Sequence, residues 1–232
     1  MSEKPTIVLL PGLDGTGTLF RWLVDAIESQ ARAVVISYPV DRVLSYRELA
    51  DLVMQQEPVR PHAIVAESFS GPIAVAVGSR KPAGLEGIVL STSFVAPPAP
   101  RWLRAAPFEA LFRFRSPTSL LRRLLLDARC GENVVAEVAG AIAAVSPRVL
   151  ASRLREVLST DSSEALRSCA VPVAYIAAAG DRLIGLRGLQ SVRRIRPLTE
   201  GVTLEGPHLL LQARPREAAG VISGFLQRWL AS

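Results

Sequence analysis

Short runs of consecutive apolar residues alternate along this chain with segments in which apolar residues recur every three or four positions. Unbroken apolar runs are typical of strands buried on both faces of a parallel sheet, whereas the longer spacing is typical of helices that cover such a sheet. The pattern predicts strands at residues 6–10, 33–37, 63–66, 87–91, 171–177 and 202–204.

Helices are predicted between these strands. Ser45 and Glu48 have the spacing of a capping box, which predicts a helix that begins there and continues to about residue 54. Further helices are predicted at residues 19–27, 72–79 and 215–230. The alternation of strands and helices predicts a compact α/β fold, with a mostly parallel sheet of about six strands and helices on both faces.

The alternation of strands and helices is interrupted between about residues 97 and 166, where the apolar spacing is helical and no strand is evident. We interpret this segment as a helical cap insertion above the carboxyl ends of the strands. The chain has 232 residues, enough for one well-buried core, and residues 1–232 are predicted to form a single domain.

The third strand leads directly into a helix with Ser68 at the corner. A corner this sharp tolerates only small residues two positions before and after the serine, and Ala66 and Ser70 meet that demand in place of the usual glycines. Ser70 is a rival nucleophile, but the residue two positions after it is Pro72, which is not small. The alternative interpretation is that small residues here only let the helix pack closely.

A serine nucleophile needs a base and a carboxylate that orients the base. His208 follows the last predicted strand, and Asp181 follows the strand before it. His62 stands at the opposite end of the serine-bearing strand, too far away to serve as the base. Taken singly, Asp181 could be a turn residue and His208 a loop residue; their order along the chain favours a catalytic set.

The first strand ends in a glycine-rich turn, Pro11-Gly12-Leu13-Asp14-Gly15-Thr16-Gly17. Such a turn leaves backbone N–H groups free to bind an oxyanion, and we expect the donors to be Leu13 and Phe69. The competing interpretation, a phosphate-binding loop, lacks the required lysine and glycine spacing, and Asp14 would repel phosphate.

Together these motifs resemble the α/β-hydrolase-fold serine hydrolases, of the esterase and lipase kind, over nearly the whole chain. The resemblance implies Ser68 as nucleophile, His208 as general base and Asp181 as the orienting acid. It implies hydrolysis of a carboxylic ester or thioester through an acyl-serine intermediate. The Pro-Gly turn with a Glu-Ser-Phe elbow also resembles plant plastid esterase/acyltransferase proteins, so acyl transfer stays open, as does a binding protein without turnover.

Composition excludes several other classes. The net charge is +6, but the arginines are scattered and no nucleic-acid-binding motif is present. Two cysteines and two histidines, without ligand spacing, predict neither a metal site nor a cofactor. No apolar run is long enough for a membrane span or signal peptide, and the expected location is cytoplasmic.

The predicted cap is basic, with ten arginines against four acidic residues between positions 101 and 155. Most of its apolar residues are expected to pack it onto the sheet, and its apolar face to line an acyl pocket. The basic face could instead dock an acidic acyl-carrier protein or lie on a membrane surface. The apolar residues concerned are Trp102, Leu103, Phe108, Leu111, Phe112, Phe114, Leu120, Leu121, Leu124 and Leu125.

Overall fold

The computed structural model describes residues 4–113 and 118–230, so Phe114 lies outside the described residues. Six strands form one sheet in the order β2-β1-β3-β4-β5-β6, and every neighbouring pair is parallel. The predicted α/β class and strand number are therefore confirmed. The strands are β1 Thr6–Leu10, β2 Arg32–Val35, β3 His62–Glu67, β4 Leu85–Ser91, β5 Val173–Ala178 and β6 Glu200–Leu204.

Helices cover both faces of the sheet. Successive side chains of a strand point to opposite faces, and both sets are apolar. In β1, Val8 and Leu10 belong to one buried cluster, and Ile7 and Leu9 belong to the other. The helices are α1 Arg21–Ile27, α2 Tyr46–Gln56, α3 Gly71–Ser79, α4 Phe108–Arg113, α5 Thr118–Leu125, α6 Glu132–Ala143, α7 Pro147–Ser159, α8 Ser163–Ser168, α9 Arg187–Ile195, α10 Leu210–Ala213 and α11 Pro215–Leu230. Helices α1, α10 and α11 pack on one face, and α2, α3, α8 and α9 pack on the other.

The capping box predicted at the start of α2 is present. The Ser45 side chain accepts a hydrogen bond from the Glu48 backbone N–H, and Glu48 Oε2 accepts one from the Ser45 N–H at 2.8 Å. Two backbone donors at the helix start are thereby satisfied.

The predicted strand limits shift by a few residues. β5 begins at Val173 rather than 171 because Pro172 lacks the N–H that the sheet requires, although its carbonyl still accepts from Ile88. β2 ends at Val35, two residues earlier than predicted. Helices α9 and α10 were not predicted; each is short, and α9 buries only Gly188, Leu189 and Val192.

Between β4 and β5 the chain forms the 3₁₀ turn Arg101–Ala105 and helices α4 to α8. Helix α8 packs beside α3 on the face of the sheet, while α6 and α7 lie over the carboxyl ends of the strands and line the cavity described below.

Within residues 4–113 and 118–230, no single helix combines the length and apolar character needed to cross a bilayer. The bent pair α6 and α7, with 97° between its members, passes that test jointly on length and composition alone.

Candidate active site

Ser68 lies at the end of β3, where the backbone turns into a short 3₁₀ segment before α3. Its φ is +45°, a conformation that non-glycine residues rarely adopt. The Ser93 hydroxyl donates a hydrogen bond to the Ser68 carbonyl. Gly71 lets these segments approach, since a Cβ there would lie 2.0 Å from Ser93 Oγ. The strained corner that the sequence predicts is thus present, and it presents the Ser68 hydroxyl above the sheet.

Ser70, the rival serine, is fully buried and faces away from this corner. Its hydroxyl donates to the Pro11 carbonyl and lies 2.7 Å from Tyr38 Oη. A serine can replace the usual glycine here because both hydrogen-bonding capacities of its hydroxyl are used. Ser70 therefore ties the elbow to the turn after β1.

The structure brings Ser68, His208 and Asp181 together in a hydrogen-bonded chain. Ser68 Oγ lies 2.8 Å from His208 Nε2, and His208 Nδ1 lies 3.0 Å from Asp181 Oδ1. These three residues follow β3, β6 and β5, whose carboxyl ends meet at one edge of the parallel sheet.

His208 and Asp181 are both shielded from solvent, with side chains 4% and 1% exposed. Burial raises the pKa of Asp181, but the hydrogen bond and charge of His208 and the N–H groups of Leu183 and Ile184 outweigh it. The pKa of Asp181 consequently lies below its usual value, and the carboxylate remains ionised at neutral pH.

His62 lies at the other end of β3, as its sequence position predicts. Its Nδ1 is 2.9 Å from the Arg60 carbonyl oxygen, and its Nε2 is 3.4 Å from Glu57 Oε1. It is fully buried among these groups and does not reach Ser68.

The turn after β1 closes with a hydrogen bond of 3.0 Å from the Gly15 N–H to the Gly12 carbonyl. Gly15 has φ +70°, which favours glycine. Among the residues that the structure describes, none accepts a hydrogen bond from the Leu13 N–H. Phe69 is the second residue of the 3₁₀ segment Ser68–Ser70, and the first N–H groups of a helix have no partner within the helix. The N–H groups of Leu13 and Phe69 remain the predicted oxyanion donors.

A cavity of about 270 Å³ opens at Ser68 and His208. Its walls are largely apolar, and Asp14 is the one acidic side chain among the residues described as lining it. Of the apolar residues that were expected to pack the cap onto the sheet or to line an acyl pocket, Leu125 lines the cavity, whereas Trp102, Leu111, Leu120 and Leu124 are exposed. Helices α6 and α7 contribute five further apolar lining residues: Val138, Ile142, Leu154, Val157 and Leu158.

Sequence reasoning did not single out Glu67, which directly precedes Ser68. It is 1% exposed and accepts a hydrogen bond of 3.2 Å from Gln212 Nε2. Burial, together with the nearby Asp14 carboxylate, raises the pKa of Glu67 to about 8. At neutral pH this side chain is mainly an uncharged acid behind the nucleophile.

Arg153 of α7 was also missed. Its guanidinium donates a hydrogen bond to a carbonyl of the turn after β1, and only 3% of the residue is exposed. A buried arginine looks like any surface arginine in the sequence, so the helical pattern gives no signal for it. Within the described residues, no group of three or more histidine, cysteine or acidic side chains is placed to hold a metal ion.

The fold is that of the α/β-hydrolases. An esterase from Thermogutta terrifontis superimposes with a TM-score of 0.82 at 16% identity, over 98% of this chain and 91% of that one. A carboxylesterase from Nitrososphaera gargenis gives a TM-score of 0.79 at 14% identity, over 98% of this chain and 92% of that one. The enol-lactonase from Burkholderia xenovorans LB400 gives 0.75 at 16% identity, over 100% and 93%.

The sequence matches no protein-family model and no curated protein. At the identities of these structural neighbours, the likeness establishes the fold, and the chemistry has to be argued from the site itself.

Proposed function

We propose that this protein is a serine hydrolase that cleaves carboxylic esters through an acyl-Ser68 intermediate. The observation that carries the proposal is the continuous hydrogen-bonded chain from Ser68 Oγ through His208 to Asp181, at 2.8 and 3.0 Å. The structural neighbours named as esterases and an enol-lactonase support the same class of reaction.

In the acylation step, His208 Nε2 accepts the hydroxyl proton of Ser68 while Ser68 Oγ attacks the ester carbonyl carbon. The oxygen of the tetrahedral intermediate accepts hydrogen bonds from the N–H groups of Leu13 and Phe69. Asp181 holds the His208 ring in the required tautomer and stabilises the imidazolium. When the intermediate collapses, His208 returns the proton to the leaving alkoxide.

In the deacylation step, a water molecule takes the place of the alcohol. His208 removes a proton from the water, whose oxygen attacks the acyl carbon, and the second tetrahedral intermediate uses the same two N–H donors. Collapse returns the proton to Ser68 and releases the carboxylic acid.

The cavity supports an apolar ester as substrate. Its volume of about 270 Å³ corresponds to roughly nine water-sized groups at about 30 Å³ each. Helices α6 and α7 act as the cap in this proposal, since their apolar side chains cover the site and exclude water around the acyl chain. The substrates expected to react best are short- to medium-chain esters without charge near the scissile bond.

A fluorophosphonate label and a panel of p-nitrophenyl esters and acyl thioesters test the proposal. Ser68→Ala should abolish labelling and reduce turnover by roughly four to six orders of magnitude. Ser70→Ala is the matched control, because it removes a hydroxyl two positions away and should still be labelled. If Ser70→Ala abolishes labelling and Ser68→Ala does not, the nucleophile is Ser70 and the proposed role of Ser68 is wrong.

The same assay separates the alternatives. A protein that only binds its ligand would bind the esters without releasing product or reacting with the label. An acyltransferase would give more ester product than acid when an alcohol acceptor is added.

A further inference from the structure

The buried guanidinium of Arg153 contacts three backbone carbonyls. Nη1 donates to the carbonyl of Leu13 at 2.9 Å and to that of Asp14 at 2.6 Å, and Nη2 donates to that of Pro39 at 2.9 Å. Arginine presents several donors in a rigid planar fork, so one side chain can hold several acceptors in fixed relative positions.

Two of these carbonyls belong to the middle residues of the turn that the Gly15 N–H closes onto Gly12. The conformation of Leu13 sets the direction of its own N–H, the expected oxyanion donor. The bonds from Arg153 to the carbonyls of Leu13 and Asp14 restrain the peptide groups that follow this N–H. The turn is therefore fixed from α7, about 140 residues away along the chain.

Arg153 also approaches the side chain of Phe69, whose backbone N–H is the second expected donor. Its guanidinium carbon lies 5.9 Å from the centroid of the Phe69 ring and 5.7 Å from that of Tyr38. The Tyr38 N–H donates a hydrogen bond of 2.7 Å to the Gly15 carbonyl. This bond joins the turn to the segment after β2, which also contains Pro39, the third residue whose carbonyl Arg153 contacts. Gly15 leaves the space for it, since a Cβ there would lie 2.5 Å from Arg153 Nη1.

We propose that Arg153 is a positioning residue for the oxyanion hole: from α7 it holds the 12–15 turn so that the Leu13 N–H faces the reacting carbonyl. The inference rests on the proposed esterase function. A donor displaced by about 1 Å can cost about 100-fold in rate, and loss of an oxyanion donor costs about 100- to 1,000-fold. Because the oxyanion is absent from the bound ester and develops only on the way to the tetrahedral intermediate, the loss falls on kcat.

The kinetic experiment compares Arg153→Lys with the wild type on a neutral p-nitrophenyl ester. Lysine keeps the positive charge but cannot reproduce the planar fork, so kcat should fall about 10- to 100-fold while KM changes by less than about twofold. A boronic acid that forms a tetrahedral adduct with Ser68 should lose affinity in the same proportion as kcat/KM. Arg155→Lys is the matched control, since Arg155 is exposed on the same helix.

Two further variants separate positioning from a general loss of stability. Arg153→Ala should recover part of its kcat in dilute guanidinium chloride but not in tetramethylammonium chloride, because only guanidinium can refill the carbonyl cluster. Gly15→Ala both strains a backbone conformation that favours glycine and places a Cβ against Arg153. It should reproduce the kcat defect, and only if the defect acts through Arg153 should adding Arg153→Lys cause little further loss.

Hydrogen exchange gives a readout that does not depend on turnover. Peptides covering residues 11–18 should exchange faster in Arg153→Lys, while those of β4 and β5 should not change. Unchanged kcat, inhibitor affinity and exchange in Arg153→Lys would overturn the inference and leave the esterase proposal standing. Faster exchange in this turn, with a wild type that neither hydrolyses esters nor reacts with the label, would overturn the esterase proposal together with the catalytic role of Arg153.

Discussion

The protonated state of Glu67 makes the stability of this protein depend on pH in a defined direction. In the folded state, burial first and the Asp14 carboxylate second raise the pKa of Glu67 to about 8 from an ordinary value of 4.5. The folded state thus holds a proton that the unfolded state releases between these two values. The free energy of unfolding should therefore fall as pH rises from about 4.5 to about 8.

The size of the effect follows from the shift. A difference of about 3.5 pKa units between the cited values, at about 1.4 kcal/mol per unit, corresponds to about 5 kcal/mol at most. Glu67→Gln removes this titration, and its amide oxygen can still accept the hydrogen bond from Gln212 that the carboxyl accepts. The variant should gain stability relative to the wild type as the pH rises through this window.

Urea unfolding followed by tryptophan fluorescence, at steps from pH 5 to pH 9, measures the difference directly. Other groups titrate in the same range, so the informative quantity is the wild-type free energy of unfolding minus that of Glu67→Gln. Glu86→Gln, which changes an exposed carboxylate on β4, should leave the pH profile of the wild type intact. A constant offset between the wild type and Glu67→Gln at every pH would refute the reasoning.

Two further predictions concern the orienting acid and the basic face. Asp181→Asn cannot hold the same His208 tautomer, and kcat should fall by about four orders of magnitude in steady-state assays; a loss below tenfold would remove Asp181 from the proposed triad. For the proposed docking of an acidic acyl-carrier protein, Arg123→Glu is a cleaner test than a change at Arg122, which is paired with Glu132 at 2.6 Å. It should weaken activity on carrier-bound acyl groups at low salt and leave small neutral esters unaffected; equal loss on both substrates, or on neither, would argue against docking.

The helices that carry the basic face show what an apolar sequence pattern can and cannot predict. The sequence predicted helices between residues 101 and 125, and the described residues of that range are largely helical, but their apolar side chains are exposed or only partly buried. Helical spacing identifies an apolar side of a helix without identifying what packs against it. Part of the cavity wall comes from α6 and α7, whose apolar pattern resembles that of any buried helix.

The positions of Ser68, Asp181 and His208 could be read from the chain alone. Ser68 and Asp181 each follow an apolar run and His208 follows a short last strand. Parallel strands bring their carboxyl ends to one edge, so the order of the motifs was enough to predict that the three residues meet. The glycines of the turn after β1 also predicted a sharp turn, because a backbone conformation with positive φ is a local property that restricts the residue type.

The properties of Glu67, Ser70 and Arg153 were decided only by the tertiary structure. Glu67 stands in the same motif as Ser68, yet its raised pKa comes from burial beside Asp14, which is 53 positions earlier in the sequence. Arg153 and the turn that it holds are about 140 residues apart. Local sequence patterns determine backbone conformation and the order of elements, whereas desolvation and long-range hydrogen bonds depend on which surfaces meet when the helices pack.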